Sequence, residues 1–210
     1  MNNEHWIERW KEKNIGFHEE SVNTLLVKHF KTLNLKHSSN IFVPLCGKTL
    51  DISWLMMLGH NIVGVELSEI AVKELFEELY ILPKISEENG MLCYQNEGIC
   101  IFVGDVFNLN PKMVEKVDAI YDRAALVALP KDVRVKYTQH LREITNNAQQ
   151  ILFCVEYDET LMNPTPFSIC QDEIKEHYQD HYNIKLLERK EVEGGLKGKY
   201  EASDTVWYLN

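Results

Sequence analysis

The chain has 210 residues, 45% of them hydrophobic, and a formal net charge of -10. That size buries a substantial core and suits one domain over residues 1–210. So acidic a balance argues against non-specific binding to DNA, RNA or anionic membrane, because phosphate contact needs clustered Lys and Arg. Apolar runs such as Ile151 to Val155 are too short to span a bilayer, and no membrane partner is expected. Glu4, Glu8, Glu12, Glu19 and Glu20 crowd the first twenty residues, so no signal peptide is expected either. The five cysteines lack CxxC spacing and read as reduced thiols of a cytoplasmic protein, without a metal.

In chain order, residues 4 to 12 read as a helix with Trp6, Ile7 and Trp10 on one face. Gly16-Phe17-His18 leads to a second predicted helix from Glu20 to Leu33, whose Val22, Leu25, Leu26, His29, Phe30 and Leu33 follow helical spacing. From residue 40 the period changes. Ile41-Phe42-Val43 reads as a buried strand, Leu50 to Leu58 as a helix, and Ile62 to Val65 as a second strand ending at Glu66. Ser68 then caps a helix bearing Ala71, Val72, Leu75, Phe76 and Leu79. This alternation predicts a parallel sheet with crossover helices. Met91 to Tyr94 and Ile99 to Val103 flank a hairpin turn. Val117 to Tyr121 is a strand ending at Asp122-Arg123, Pro130 to Ile144 a helix, Gln150 to Glu156 a strand and Glu173 to Tyr178 a short helix. Segments near 183 to 192 and 200 to 209 close the chain as an antiparallel pair. The fold class is α/β, an open sheet with helical N-terminal additions.

In such a sheet, ligands bind beyond the carboxyl ends of the strands. After the first strand stands "PLCGK", residues 44 to 48, with Leu45 and one glycine, Gly47. A dinucleotide site needs several backbone N–H groups around its pyrophosphate, and Pro44 has none to offer. The turn therefore suits a nucleoside without a pyrophosphate, such as S-adenosylmethionine. Glu66 follows Gly47 by 19 positions, where a carboxylate accepts from a ribose diol; alternatively it is a solvated residue opening a loop. Gly104-Asp105-Val106-Phe107 reads either as the adenine end, with Asp105 accepting from the exocyclic amine, or as a plain turn. Trp6 and Trp10 either staple the first helix to the core or cover a site. His18 is a general base or a structural histidine, Cys46 reads as packing, and Asp51 as a charge suited to a helix start.

The motifs Trp6-x-x-x-Trp10, Gly16-Phe17-His18, "FVPLCGKTLDISWL", "GHNIVGVELSEIAV", "YDRAALVALP" and "NPTPFSI" occur in this order from about residue 5 to about residue 170. Together they resemble the thiopurine S-methyltransferase family. The resemblance implies a class I S-adenosylmethionine-dependent methyltransferase with a Rossmann-like fold. Its sheet is mostly parallel and seven-stranded, and N-terminal helices within residues 1–36 cover the active site. It further implies a cytoplasmic monomer that moves a methyl group to the sulfur of aromatic or heterocyclic thiols and releases S-adenosylhomocysteine. Bacterial members are linked with selenium and tellurium resistance. By resemblance Trp10, Leu45, Glu66 and Arg123 contact the cofactor, joined by Gly47, Asp105 and Val106. Asp122 and Arg123 are the expected catalytic pair, and Phe17, His18 and Phe167 the expected substrate contacts. The family's Gly-Pro-Pro-Phe loop is Pro164-Thr165-Pro166-Phe167 here, and a late arginine of some members is absent from "GGLKGKYEAS", which carries Lys197 and Lys199. Both changes bear on the acceptor. The alternatives are a nicotinamide-dependent oxidoreductase on a similar sheet and an inactive methyltransferase-like binding protein.

Overall fold

A computed structural model describes residues 3–161 and 165–210. Two helices lead: α1 (Asn3–Lys11) and α2 (Thr24–His29). The predicted second helix began at Glu20, but the helix itself begins at Thr24. The Asn23 side chain accepts from the N–H groups of Leu25 and Leu26 and fixes that start. Its last turn, Phe30–Leu33, tightens into a 3-10 turn that ends at Asn34 in the left-handed conformation.

Then β1 (Asn40–Pro44), α3 (Leu50–Met57), β2 (Asn61–Glu66) and α4 (Glu69–Glu78) alternate as predicted. Ser68 caps α4 by accepting from Ala71 N–H. Next come β3 (Lys84–Glu88), β4 (Met91–Asn96), β5 (Ile99–Val103), α5 (Pro111–Val114), β6 (Ala119–Arg123), α6 (Lys131–Thr145) and β7 (Gln149–Tyr157). The chain closes with α7 (Gln171–Tyr178), β8 (Ile184–Glu191) and β9 (Ala202–Leu209).

All strands join one sheet of order β3-β4-β5-β2-β1-β6-β7-β9-β8. From β5 to β7 neighbours run parallel, and β9 lies antiparallel between β7 and β8. The expected seven strands are β5 to β8 of this order, and β4 and β3 extend the far edge. The expected hairpin is β4 with β5, and β3 is the unexpected addition. Its sequence, KISEE, is almost wholly exposed and lacks the apolar alternation that marks a strand. Charged side chains are what a protected sheet edge carries.

Alternating residues sort the core onto the two sheet faces. Ile41, Val43, Tyr121, Ile151 and Phe153 join one apolar cluster with Leu25 and Leu26 of α2, Ile52 and Leu55 of α3, and Val72 and Leu75 of α4. Phe42, Ile120 and Leu152 join the opposite cluster with Tyr137 and Leu141 of α6 and Ile174 of α7. The chain steps from β1 to β2 on one side and later to β6 on the other. That reversal opens a crevice beyond the carboxyl ends of β1 and β6.

Candidate active site

A cavity of about 670 Å³ lies at that crevice. Its size falls within the range of small-molecule sites, roughly 300–1,000 Å³. Its walls come from the α1 region (Trp6, Arg9, Trp10), the segment before α2 (Phe17, His18, Glu19), the turn after β1 (Leu45, Cys46, Gly47), Glu66, and the ends of β6 and β7.

The turn after β1 is bent by backbone conformations that few side chains adopt. Leu45 has φ +47° and Gly47 φ +53°, while Ala124 after β6 has φ +60°. Left-handed Leu and Ala cost about 1–3 kcal/mol each and persist where the surroundings over-determine them. Here both sit on the cavity wall. Gly47 serves a further purpose: a Cβ there would stand 3.2 Å from Cζ2 of Trp10. The glycine thus lets the indole approach the turn closely, and Trp10 is only 4% exposed.

Glu66 is 7% exposed and still lines the cavity. Gly47 N–H donates to its Oε2 at 2.8 Å and Ser68 N–H to its Oε1 at 2.9 Å. Burial pushes its carboxyl up, while the N–H groups of Ser68, Gly47 and Leu67 pull it down. Each oxygen keeps a further lone pair. The result is a rigid two-pronged acceptor, which fits a vicinal diol. Burial and the Glu66 charge push the neighbouring Cys46 thiol well up, so it stays protonated and serves as packing, as read from the sequence.

Arg123, 16% exposed, forms an ion pair with Glu19, and its Nη1 lies 3.9 Å from Oδ2 of Asp51. Asp51 is 1% exposed and is a hub that sequence reading missed. It accepts from Asn23 N–H at 2.8 Å, Tyr121 O–H at 2.7 Å and Thr49 O–H at 2.9 Å. It ties the lead-in to α2, the start of α3 and the end of β6 together under the cavity floor.

The expected pair Asp122 and Arg123 is split by the strand itself. Consecutive strand residues face opposite sides. Tyr121 and Arg123 line the cavity, whereas Asp122 turns into the other cluster. There Tyr137 O–H donates to it at 2.7 Å and Leu126 N–H at 3.3 Å. Burial raises its carboxyl to about 6. The structure thus corrects the assignment of Asp122 to the reacting centre: it braces α6 and the turn after β6.

Phe17 and His18 are on the wall. Phe17 meets Trp6 and Trp10 edge-on, at 5.7 and 5.6 Å between ring centres, and the Arg9 guanidinium lies 5.1 Å from its ring. Three expected contacts are not among the lining residues. Asp105 accepts from Phe107 N–H at 3.1 Å and from the Asn3 amide at 2.9 Å, linking α1 to the loop after β5. Val106 is buried in the core, with its carbonyl 2.8 Å from Nε2 of His140. Phe167 packs its ring 5.5 Å from the Arg134 guanidinium, and its loop neighbours Thr165 and Pro166 reach the cavity instead. Pro164 lies outside the described residues. The wall also holds Asp204 of β9, which the sequence did not single out.

The residues suit S-adenosylmethionine. Glu66 offers the diol acceptor, Trp10 an aromatic face for a cation, and Pro44 and Leu45 replace the glycines of a pyrophosphate cradle.

The family model described as "Thiopurine S-methyltransferase (TPMT)" matches residues 1–207. The thiopurine S-methyltransferase of Teredinibacter turnerae is 47% identical over 205 residues, covering 98% of this chain and 95% of that one. That of Acinetobacter baylyi is 45% identical over 213 residues, covering 100% and 98%. Among solved structures, a S-adenosylmethionine-dependent methyltransferase of Anabaena variabilis superposes with a TM-score of 0.61 at 13% identity, covering 99% of this chain and 95% of that one. A Burkholderia thailandensis 1,6-didemethyltoxoflavin-N1-methyltransferase, bound to its substrate and S-adenosylhomocysteine, gives 0.67 at 12%, covering 99% and 87%. At those identities the structures speak to the fold alone.

Proposed function

The chain belongs to the thiopurine S-methyltransferase family, whose members use S-adenosylmethionine, and on that premise we propose how its cavity serves methyl transfer to a small aromatic or heterocyclic thiol. The observation that carries this reading is Glu66, buried at the cavity wall with both oxygens oriented by backbone N–H groups. It accepts from the two ribose hydroxyls. Trp10 covers the nucleoside, and Leu45 and Gly47 shape the turn beneath it. When bound, S-adenosylmethionine supplies an electrophilic methyl group on a sulfonium.

Phe17 and His18 close the acceptor end, supported by the edge-on contacts of Phe17 with both tryptophans. Arg123 presents a positive charge there, moderated by its pairing with Glu19. The aromatic walls exclude water and align the incoming sulfur with the methyl and the departing sulfur. A sulfur that ionises readily needs no strong base, so this chain's main work is alignment.

Selenium and tellurium nucleophiles belong to the same proposal, since they are softer relatives of the thiolate. So does a cytoplasmic monomer without nucleic-acid or membrane partners. The net charge of -10 speaks against nucleic-acid and anionic membrane partners, and five free cysteines suit a reducing compartment.

The test is incubation with methyl-labelled S-adenosylmethionine and matched benzenethiol, benzeneselenol and phenol. Label on sulfur and selenium but not on oxygen is expected. Label on oxygen alone, or on none, would overturn the acceptor class.

A further inference from the structure

Asp204 stands in β9 opposite Val155 of β7 and Lys190 of β8. Two residues on, Val206 belongs to the cluster of Tyr121 and Phe153, so alternation places Asp204 on the cavity face. It lines the cavity together with Glu19, Arg123, Val155, Leu196 and Lys197. The other charges of that end are already engaged. Glu19 pairs with Arg123, Arg123 also approaches Asp51, and Lys197 Nζ donates to the Thr165 carbonyl at 3.0 Å. Among the described residues no hydrogen bond or ion pair reaches the Asp204 carboxylate. A half-buried acceptor group thus faces the cavity without a donor, and a donor is what a ligand would bring.

We propose that Asp204 is the proton acceptor for heterocyclic thiones, so that it selects acceptors with a ring N–H beside the sulfur. This rests on the methyl-transfer reading above. In the thione form the sulfur is doubly bonded to carbon and the proton sits on the neighbouring nitrogen. As the sulfur–methyl bond forms, the sulfonium–methyl bond breaks and its electron pair stays on the departing sulfur. The ring N–H pair moves into a C=N bond, and the C=S π pair becomes the new bond to methyl. The proton passes to a carboxylate oxygen of Asp204 and then to solvent. A carbocyclic thiol has no ring N–H, loses its proton directly from sulfur and has no need of Asp204. Burial and the Glu19 charge raise the Asp204 carboxyl, while Arg123 and Lys190 oppose them, which brings it closer to the basicity a proton acceptor needs. Those three residues, with Lys197, are the charged groups facing it from the segment before α2, from β6, from β8 and from the β8–β9 connection.

The test compares wild type, Asp204→Asn and the smaller Asp204→Ser on pyridine-2-thione and benzenethiol, with calorimetry of S-adenosylhomocysteine as the control. For both variants kcat/KM on pyridine-2-thione should fall by at least about tenfold, corresponding to about 1.4 kcal/mol. On benzenethiol, and for cofactor affinity, the change should stay below about twofold, about 0.4 kcal/mol. The acid limb of the pyridine-2-thione pH profile should vanish in the variants, and Asp204→Glu should restore part of it. If wild type methylates both acceptors and the variants lose rate equally on both, or on neither, the role of Asp204 is overturned while methyl transfer stands. If wild type methylates neither, the methyl-transfer reading falls and this role falls with it.

Discussion

Burial raises the Glu66 carboxyl, and three backbone N–H groups oppose that rise. Its carboxylate lines the cavity with lone pairs still free to accept. Hydrogen bonds to a charged group contribute about 1.5–3 kcal/mol each. Glu66→Ala should therefore weaken S-adenosylhomocysteine by at least about tenfold in calorimetry. A change below about twofold would remove Glu66 from the ribose. Gly47→Ala tests the turn. Its left-handed φ of +53° and the 3.2 Å approach to Trp10 both penalise a Cβ. A loss of about 1–2 kcal/mol in stability is expected, with altered tryptophan fluorescence. An unchanged denaturation midpoint and spectrum would mean that the turn accommodates a side chain freely. Gly47 and Glu66 were legible because local spacing and a strand end mark them. Asp51 and Asp204 were not. Besides nearby Thr49, the partners of Asp51 are Asn23 and Tyr121, 28 and 70 positions away, and no local pattern announces those two.

Strand β6 shows how one element divides its labour. The dipeptide Asp122-Arg123 was legible as a strand end, but which neighbour faces the ligand is fixed by the pleat and by what packs on each side. Asp122 has a folded pKa of about 6 against an ordinary 3.8. The folded state keeps its proton where the unfolded chain has already lost it. Its contribution is therefore full below about pH 4, falls as pH rises, and is lost above about pH 6. The size is of the order of 3 kcal/mol. Denaturant midpoints of wild type and Asp122→Asn should diverge across that window, with wild type losing ground as pH rises. Parallel curves would show that Asp122 does not titrate there. The lead-in to α2 depends likewise on one side chain. Asp51→Ala leaves Asn23 N–H and Tyr121 O–H without their acceptor. That should cost about 1–3 kcal/mol per group and speed proteolysis before Thr24. Cleavage at the wild-type rate would show that Asp51 does not hold this segment.

At the scale of the molecule, the alternation of strands and helices made the parallel sheet legible, whereas the strand order, with its reversal beside β1, emerges only in the folded sheet. The edge strand β3 stayed hidden because it carries a single apolar residue, Ile85, with no alternation, and only pairing with β4 makes it a strand. The covering role of α1 was legible only through family resemblance, since a tryptophan pair on a short helix packs equally well anywhere. With residues 6, 9, 10, 17, 18 and 19 on the wall, the N-terminal segment and the sheet close one cavity, and a ligand there joins them. S-adenosylhomocysteine at about a hundred times its Kd should stabilise the fold by about 2.7 kcal/mol and raise the melting temperature by about 5–10 °C. NADH should give no shift, and a comparable shift with NADH would revive a nicotinamide site. The most direct measurement is a crystal structure of the complex with S-adenosylhomocysteine. Both ribose hydroxyls within hydrogen-bonding distance of the Glu66 carboxylate, beneath the Trp10 indole, is the expected result; an adenosyl group bound elsewhere, with Glu66 facing only solvent or protein, would contradict it.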